Sequence, residues 1–292
     1  MDKNIKEIEL NSFEEFEQIV KEQICQNKFE QVTNIISKPT DVLFRGHADS
    51  TWKLESTLVR DSDIKVYSEE KYHNEIASLV KKIYEYTGKE WCVPQYINKP
   101  YIEDGHRNIF DHPLAYDFIV YLRHFGFPSP LLDWTENPYI AAYFAYSDNV
   151  NANKVAIYIY KQSNDNSMVS EDKSTVIHLG KHLNTHARHS LQQAQYTVCK
   201  STQVDKDCDE FKQNFFYDSY EDYNWNSNDL DDGNIRNQCI KYILPASQKD
   251  DILKTLESKY ITKLLLMQNE DFKTKSEEEL IKGLKDEFLK KF

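Results

Sequence analysis

The feature that most constrains the fold of this sequence is segment 117–145, in which a break separates two apolar helical patterns. The first pattern ends at Gly126 and Pro128, because glycine favours helix C-termini and proline cannot continue a helix. A short apolar run follows, and Pro138 suits the first turn of the next helix. Four notable residues lie at the break: His124, Asp133, Trp134 and Thr135. Functional groups often lie where element ends converge, so the break is a candidate site; the alternative is a helix–turn–strand–helix piece of core.

Composition and charge exclude several classes of protein. The chain has 292 residues, of which 40% are apolar and 13% aromatic, enough for a sizeable core. Its net charge of −12 argues against binding to duplex DNA, which requires a basic surface. No signal peptide or membrane-spanning run is recognisable, and the five cysteines lack paired short spacings. We therefore expect a cytoplasmic protein with reduced thiols and no membrane partner.

The common nucleotide and nucleophile fingerprints are missing from the sequence. Only seven glycines occur, and neither GxGxxG nor GxxxxGK[ST] is present. No serine lies in a nucleophile elbow, and no cysteine has a histidine at a recognisable catalytic spacing. Folds built on glycine-rich phosphate loops are accordingly disfavoured.

Periodicity predicts short strands interspersed with helices. Val155–Tyr160 alternates as a strand does, and Cys239–Leu244 reads as another. Ser68 and Gly88 mark the start and end of a long amphipathic helix. A shorter helix is predicted over Phe29–Ile36, and the alternation of Trp52, Leu54 and Leu58 predicts a loop or a second strand. Three capping boxes predict further helix starts: Ser12 with Glu15, Ser247 with Asp250, and Ser276 with Glu279. Because βαβ units do not alternate regularly, the predicted fold class is α+β.

Two polar segments have simple interpretations. Segment 201–234 is acidic and nearly lacks Leu, Ile and Val, which predicts an exposed loop or insertion. His178, His182 and His186 recur four residues apart, and on one continuous helix they could bind zinc. Gly180 interrupts that pattern and no further ligand completes the set, so no metal site is predicted.

Candidate site residues follow from their positions. Arg45 ends the apolar run Val42–Phe44, so its guanidinium is held in one direction and can bind a phosphate or carboxylate bidentately. The alternative is an ion pair with one of the many acidic side chains. Gly46 permits close approach of a ligand or of another chain segment. His124 near a helix C-terminus is a candidate general base or ligand, or a core histidine.

The carboxylate at the break needs a partner. Asp133 lies between two apolar residues, and a buried carboxylate is costly unless it is paired. A structural partner, such as a backbone turn or an arginine, is favoured over catalysis. Either Thr135 or Asn137 can cap the helix that begins at Pro138.

Several separated motifs in the right order resemble the FRG domain family, which is named for its Phe-Arg-Gly motif. They span roughly residues 40–260 and comprise Phe44-Arg45-Gly46-His47, Trp52-Lys53-Leu54, His124–Pro128, Leu131–Thr135, Asn137-Pro138, Arg188, Gln192, Tyr196-Thr197 and Leu244-Pro245. The chain departs from the family pattern at Arg123 (Gln expected), Phe125 (Tyr), Pro130 (Arg), Ser56 (Pro) and Ala194 (Gly).

A more distant resemblance, to ADP-ribosyltransferases, implies a split β-sheet core with surrounding helices and a mechanism that uses NAD. It implies a catalytic set of Arg45, His124, Asp133, Thr135 and Gln192. It implies that NAD is bound by Arg45, Gly46, His47, Trp134, Thr135, Tyr143 and Arg188, with Tyr143 or Trp134 stacking on nicotinamide. The glutamate expected in the third motif is replaced by neutral Gln192, so another carboxylate, Asp133 or Glu75, would have to stabilise the developing charge.

Two functions follow as expectations for one FRG-type domain over residues 1–292, with a helical lead (1–38), a motif-bearing core (40–260) and a C-terminal helical segment (261–292). The first is an ADP-ribosyltransferase-like or NAD-cleaving protein, a bacterial toxin or phage-defence effector acting on a protein or nucleic-acid acceptor. The second is a nucleotide-sensing or protein-interaction domain without turnover, favoured by the missing glutamate and by Pro130.

Overall fold

In the computed structural model of this chain, one mixed β-sheet is flanked by helices, which confirms the predicted α+β class. The structure describes residues 5–33, 42–62, 66–97, 113–148, 150–162, 174–180, 183, 187–205, 212–225, 237–267 and 273–291. The strands are β1 (Lys6–Glu9), β2 (Val42–His47), β3 (Val66–Ser68), β4 (Leu131–Thr135), β5 (Lys154–Lys161), β6 (Thr175–Gly180), β7 (Ala194–Asp205), β8 (Lys212–Asp218) and β9 (Gln238–Pro245). The α-helices are α1 (Phe13–Thr33), α2 (Thr57–Ser62), α3 (Glu69–Thr87), α4 (Tyr116–His124), α5 (Pro138–Ser147), α6 (Ala187–Leu191), α7 (Lys249–Ser258), α8 (Lys263–Leu266) and α9 (Lys273–Leu289).

The long strand β7 connects the two halves of the sheet. The strand order is β1-β9-β5-β2-β4-β7-β8-β3, with β6 paired to β7 outside this path. Residues 196–198 of β7 pair with both β4 and β6, and Lys200 pairs with both β6 and β8. Because each strand has two edges, β4 and β8 follow one another along one edge of β7, and β6 lies on the other. All described pairings are antiparallel except that of β1 with β9.

Strand β5 shows how the alternating pattern divides the core. Val155, Ile157 and Ile159 pack with α1, α5 and α7 on one face. Tyr158 and Tyr160, on the other face, join an aromatic cluster with residues 220–225. A third apolar cluster packs α3, α4 and α9 against β7 and β8. The predicted period of two is thus confirmed, with both faces of the strand buried.

Helix α5 lies unusually close to β2, and Gly46 is the reason. A Cβ atom placed on Gly46 would lie 1.9 Å from the carbonyl oxygen of Ala141 and 2.7 Å from the amide nitrogen of Ala145. The small residues of α5 face the sheet, as their spacing predicts. Of the two roles considered for Gly46, close approach of a ligand or of another chain segment, the structure shows the second, because helix α5 packs against this glycine.

The predicted helix caps are partly confirmed. The Ser12 hydroxyl accepts from the Glu15 amide (3.4 Å), and the Ser68 hydroxyl from the Lys71 amide (3.3 Å). Helix α3 ends at Gly88 with a positive φ of 69°. The prediction for Ser247 is wrong, because Gln248 precedes α7 and its side chain instead accepts from the Phe13 amide (3.0 Å).

Two other helix starts and one strand differ from prediction. Helix α9 begins three residues before Ser276, which is therefore not its cap. Helix α1 continues to Thr33 as one element, where a second short helix from Phe29 to Ile36 was predicted. The predicted loop or strand from Trp52 to Leu58 becomes a loop and helix α2, because Ser56 caps that helix by accepting from the Val59 amide (3.3 Å).

The prediction of an exposed loop over 201–234 is wrong for its described part. Residues 201–205 extend β7, and β8 pairs with them. The buried aromatic residues of this segment are Phe215, Tyr217, Tyr220, Tyr223 and Trp225. Aromatic side chains supply the apolar area here that Leu, Ile and Val usually supply.

The histidine segment is also not one continuous helix. His178 lies in strand β6, while His182 and His186 fall outside the described residues. Within the described ranges, no three His, Cys, Asp or Glu side chains are grouped as metal ligands. The described cysteines, Cys25, Cys92, Cys199 and Cys239, are free thiols. No helix in those ranges is long and apolar enough to cross a bilayer.

Candidate functional site

A cavity of about 820 Å³ lies where β2, β4 and the start of β7 meet α2, α5 and the segment after β8. Its volume is in the range of small-molecule and cofactor sites. Four residues that were expected to converge from separate stretches do line it: Arg45, Asp133, Thr135 and Gln192. Gly46, His47 and Trp134 also border the cavity.

Sheet pairing explains how distant residues converge. Strand β2 pairs with β4 through Phe44 and Thr135, which places Arg45 beside Asp133. Strand β4 then pairs with β7, so that Thr135 lies opposite Ala194 and next to the turn that carries Gln192. The polar residues therefore meet at strand ends, as the break in segment 117–145 indicated.

Asp133 is held between two arginines. The guanidiniums of Arg45 (Nη1) and Arg123 (Nη2) both donate to Asp133 Oδ1. Arg45 Nη1 also donates to the Asp133 carbonyl oxygen at 2.7 Å. Burial would raise the pKa of Asp133, but the two cationic neighbours hold it well below its usual range. Arginine as a structural partner of Asp133, one of the alternatives read from the sequence, is thus what the structure shows.

Arg45 keeps donor capacity after these contacts. Its Nε donates to His47 Nε2 at 3.0 Å, and its Nη1 is used by Asp133. No described residue accepts a hydrogen bond from Nη2. The Arg45–Asp133–Arg123 group has a net charge of +1, because two guanidiniums surround one carboxylate. The group can therefore attract an anion.

His47 is neutral in this arrangement. Burial, together with the positive charge of Arg45, lowers the pKa of His47 to about 3. Because Nε2 accepts from Arg45, the imidazole proton resides on Nδ1. The ring orients the guanidinium without adding charge to the cavity.

Thr135 and Gln192 hold the cavity wall together. The Thr135 hydroxyl donates to the Gln192 carbonyl (2.7 Å) and accepts from the Asn137 amide (3.1 Å). The Gln192 side-chain amide donates to the Leu266 carbonyl (3.1 Å). Asn137 caps α5, since its Oδ1 accepts from the Tyr139 amide (2.9 Å). Of the two predicted caps, Asn137 is the one used.

Three predicted site residues do not line this cavity. His124 Nε2 contacts the hydroxyl of Tyr196, a residue of β7, at 3.2 Å. Arg188 approaches Glu278 at 3.8 Å. Tyr143 is buried in the core, because Ala141 and Phe144, three residues apart, form the cavity face of α5 and Tyr143 points elsewhere. Trp134 borders the cavity but is only 2% exposed, and its indole donates to Thr197 Oγ1 at 2.9 Å.

Sequence reasoning missed part of the cavity. Helix α2, the loop before it and the segment after β8 contribute Trp52, Glu55, Val59, Arg60, Ser219 and Glu221. These residues were missed because α2 was not recognised and segment 201–234 was taken for an exposed loop. Arg123 was noticed only as a departure from the family pattern. The available signal in the sequence was that Arg123 is a cationic residue ten positions before Asp133, a carboxylate that was expected to need a partner.

Glu55 is the second carboxylate of interest in the cavity. Its Oε1 accepts from the Ser219 hydroxyl (2.6 Å) and from the Glu221 amide (3.2 Å). Burial raises the pKa of Glu55 to about 7, against the lowering effect of these hydrogen bonds. Glu75, the other carboxylate suggested by the sequence, is on α3 and pairs with Lys291 away from the cavity.

Comparison with known proteins adds one finding. Residues 40–154 match the family model of the FRG domain, and the match covers β2, α2, β3, α3, α4, β4 and α5. The match is shorter than the 40–260 resemblance read from the motifs. No curated protein and no solved structure matches the chain.

Proposed function

We propose that the protein binds NAD and cleaves its nicotinamide–ribose bond in the cavity that residues 40–154, which match the FRG domain model, help to build. ADP-ribose would pass to water or to a protein or nucleic-acid acceptor, as in a bacterial toxin or phage-defence effector. One observation carries the proposal: Arg45, Asp133 with Thr135, and Gln192 come from three separate stretches and line one cavity. The proposal includes an ADP-ribosyltransferase-like split sheet. It is supported by β7, which pairs with β4 along one part of its length and with β8 along the next.

One cationic group at the cavity can bind a phosphate, within a lining in which Arg45, Lys53 and Arg60 are balanced by Glu55, Asp133, Asp148 and Glu221. The Arg45–Asp133–Arg123 group carries one net positive charge at the cavity wall, and Arg45 Nη2 is available as a donor. Guanidinium nitrogens bind phosphate oxygens with short, charge-assisted hydrogen bonds. Arg60, which is largely exposed and pairs with Asp61 at 3.0 Å, also lines the cavity.

The apolar part of the cavity suits a planar ring. Phe44, Ala141 and Phe144 line one side. Trp52 at the cavity is 42% exposed, with its ring 6.1 Å from that of His47. An exposed indole beside a cavity can stack on adenine or nicotinamide at little conformational cost. Trp52 takes the stacking role that the sequence assigned to Trp134 or Tyr143.

A binding function without turnover is the second candidate. It is favoured by the Gln192 amide, which already donates to a backbone carbonyl and has no charge with which to stabilise an oxocarbenium-like ribose. In that case the same cavity would sense a nucleotide and leave it intact.

Nicotinamide release from NAD separates the two functions. We expect the wild-type chain to release nicotinamide and Arg45→Ala to do so at least about tenfold more slowly, because a charge-assisted contact worth roughly 1.5–3 kcal/mol is lost. Arg45→Lys keeps the charge without the planar fork and should lie between them. Release is measured by chromatography, and the folding of each variant by circular dichroism. Binding of NAD with no release by the wild type would establish the sensing function instead.

A further inference from the structure

We propose that Glu55 is the general base of this cavity, which takes the proton from the water or acceptor hydroxyl that attacks the ribose. The inference rests on the proposed function and adds to it the carboxylate that the sequence did not supply. Glu55 directly follows the motif Trp52-Lys53-Leu54, in the loop between β2 and α2, and was not among the candidate residues read from the sequence.

The geometry around Glu55 fixes the carboxylate and leaves one of its oxygens without a partner. Oε1 is held by Ser219 and by the backbone amide of Glu221, which fixes the orientation of the group. Oε2 is buried and has no hydrogen-bond partner within the described parts of the chain. A buried carboxylate oxygen without a partner is costly, and a catalytic role is one of the reasons for which such a group is retained. Glu55 lines the same cavity as Arg45 and Asp133.

The groups around Glu55 do not neutralise it. Lys53 and Glu221 pair with each other at 2.9 Å on the exposed side. Tyr220 and the Cys199 thiol lie on the buried side and are neutral at pH 7, since burial raises the pKa of each. Arg60, from α2, lines the cavity but pairs with Asp61 at 3.0 Å. The described structure shows no ion pair for Glu55 itself, in contrast to Asp133.

Comparison of the carboxylates identifies Glu55 as the base. Asp133 is ion-paired to two guanidiniums, and its low pKa makes it a poor proton acceptor near pH 7. A general base works best when its pKa is near the working pH, and the value of about 7 for Glu55 meets that condition. Glu75 pairs with Lys291 on another surface.

The step balances without any further reagent. The water oxygen bonds to the ribose C1′ while the bond from C1′ to the nicotinamide nitrogen breaks. The bonding pair stays on that nitrogen, which was cationic and becomes neutral. The water proton moves to the Glu55 carboxylate, which lines the cavity, and is then lost to solvent. With an acceptor hydroxyl in place of water, the same transfers yield an ADP-ribosylated product.

The test compares wild type, Glu55→Gln and Glu75→Gln as purified full-length chains supplied with NAD. Glutamine keeps the acceptor for Ser219 and the Glu221 amide but cannot take a proton. We expect Glu55→Gln to lower nicotinamide release by roughly 100-fold or more, the size usual for a general base, with NAD affinity changed less than about threefold. Wild-type release should rise with pH through about 7 as Glu55 loses its proton. Glu75→Gln removes a carboxylate of the same type and should match wild type.

The melting temperature, measured without NAD, provides a second test of the state of Glu55. The pKa of Glu55 is higher in the folded than in the unfolded chain, so ionisation of Glu55 opposes folding as pH rises from about 4 to 7. Glu55→Gln should therefore gain melting temperature relative to wild type between pH 5 and pH 8.

The possible failures are distinguishable. Wild-type release that Glu55→Gln leaves unchanged would overturn the assignment of Glu55 and keep the proposed function. Parallel loss of NAD affinity and release in Glu55→Gln would make Glu55 a binding group and overturn its role as base. A wild type that binds no NAD and releases no nicotinamide would overturn the function and the inference together.

Discussion

Replacing Gly46 with alanine is expected to lower the free energy of unfolding by about 3 kcal/mol, the upper end of what overpacking usually costs. The new methyl group would meet backbone atoms of α5, the Ala141 carbonyl at 1.9 Å and the Ala145 amide at 2.7 Å. Backbone atoms cannot rotate away as a flexible side chain does, so α5 must move off β2. That movement also displaces Phe144 at the cavity wall.

Chemical denaturation at neutral pH measures this effect, and Gly283→Ala is the matched control. Gly283 is exposed on α9, and nothing lies within 4 Å of the position that its new methyl group would take. Alanine there should leave stability unchanged or raise it by about 1 kcal/mol, since alanine is the better helix former. Equal stability of Gly46→Ala and wild type would show that α5 does not lie as close to β2 as described.

The second large effect is expected for Asp133→Asn, which leaves two guanidiniums facing each other without a counter-charge. The side chains of Arg45 and Arg123 are only 17% and 11% exposed. Removing one partner of a buried ion pair typically costs about 3–5 kcal/mol. Because the Asp133 side chain is itself 43% exposed, solvent screening reduces the expected loss to about 2 kcal/mol.

The stability difference between wild type and Asp133→Asn is expected to depend on pH. The pKa of Asp133 is lower in the folded chain than in the unfolded one, so its contribution is complete above about pH 4 and is lost as pH falls towards the folded value. The stability difference between wild type and Asp133→Asn should therefore shrink on going from pH 5 to pH 2. Glu85→Gln, which removes an exposed charge 3.7 Å from Lys81, should change stability by less than about 0.5 kcal/mol. A constant difference across that pH range would contradict the two-arginine arrangement.

Local patterns in the sequence were sufficient for the elements that frame the site. Alternation over Val155–Tyr160, the break at Gly126 and Pro128, and the cap at Ser68 each depend on near neighbours, and each is found in the structure. The convergence of Arg45 with Asp133 was also predicted, because both lie at strand ends within family motifs. The first three features need no knowledge of which strands pair, whereas the convergence of Arg45 with Asp133 depends on the pairing of β2 with β4 and was implied by the resemblance alone.

Features that depend on long-range pairing were missed. Arg123 contributes only because the end of α4 reaches β4, and the sequence does not show that contact directly. Glu55 is buried by Ser219 and Glu221, more than 160 residues away. Residues 212–225 read as a polar loop because their apolar area resides in tyrosine, phenylalanine and tryptophan. Their burial depends on β8 pairing with β7.

A calorimetric titration of the full chain with NAD tests the central claim most directly, since every step proposed above needs the nucleotide in this cavity. The account predicts binding at one site, weakened at least about tenfold in Arg45→Ala. It predicts unchanged binding in Tyr86→Ala, which removes an exposed aromatic residue of α3 that does not line the cavity. No binding by the wild type, or binding that Arg45→Ala leaves undiminished, would contradict it.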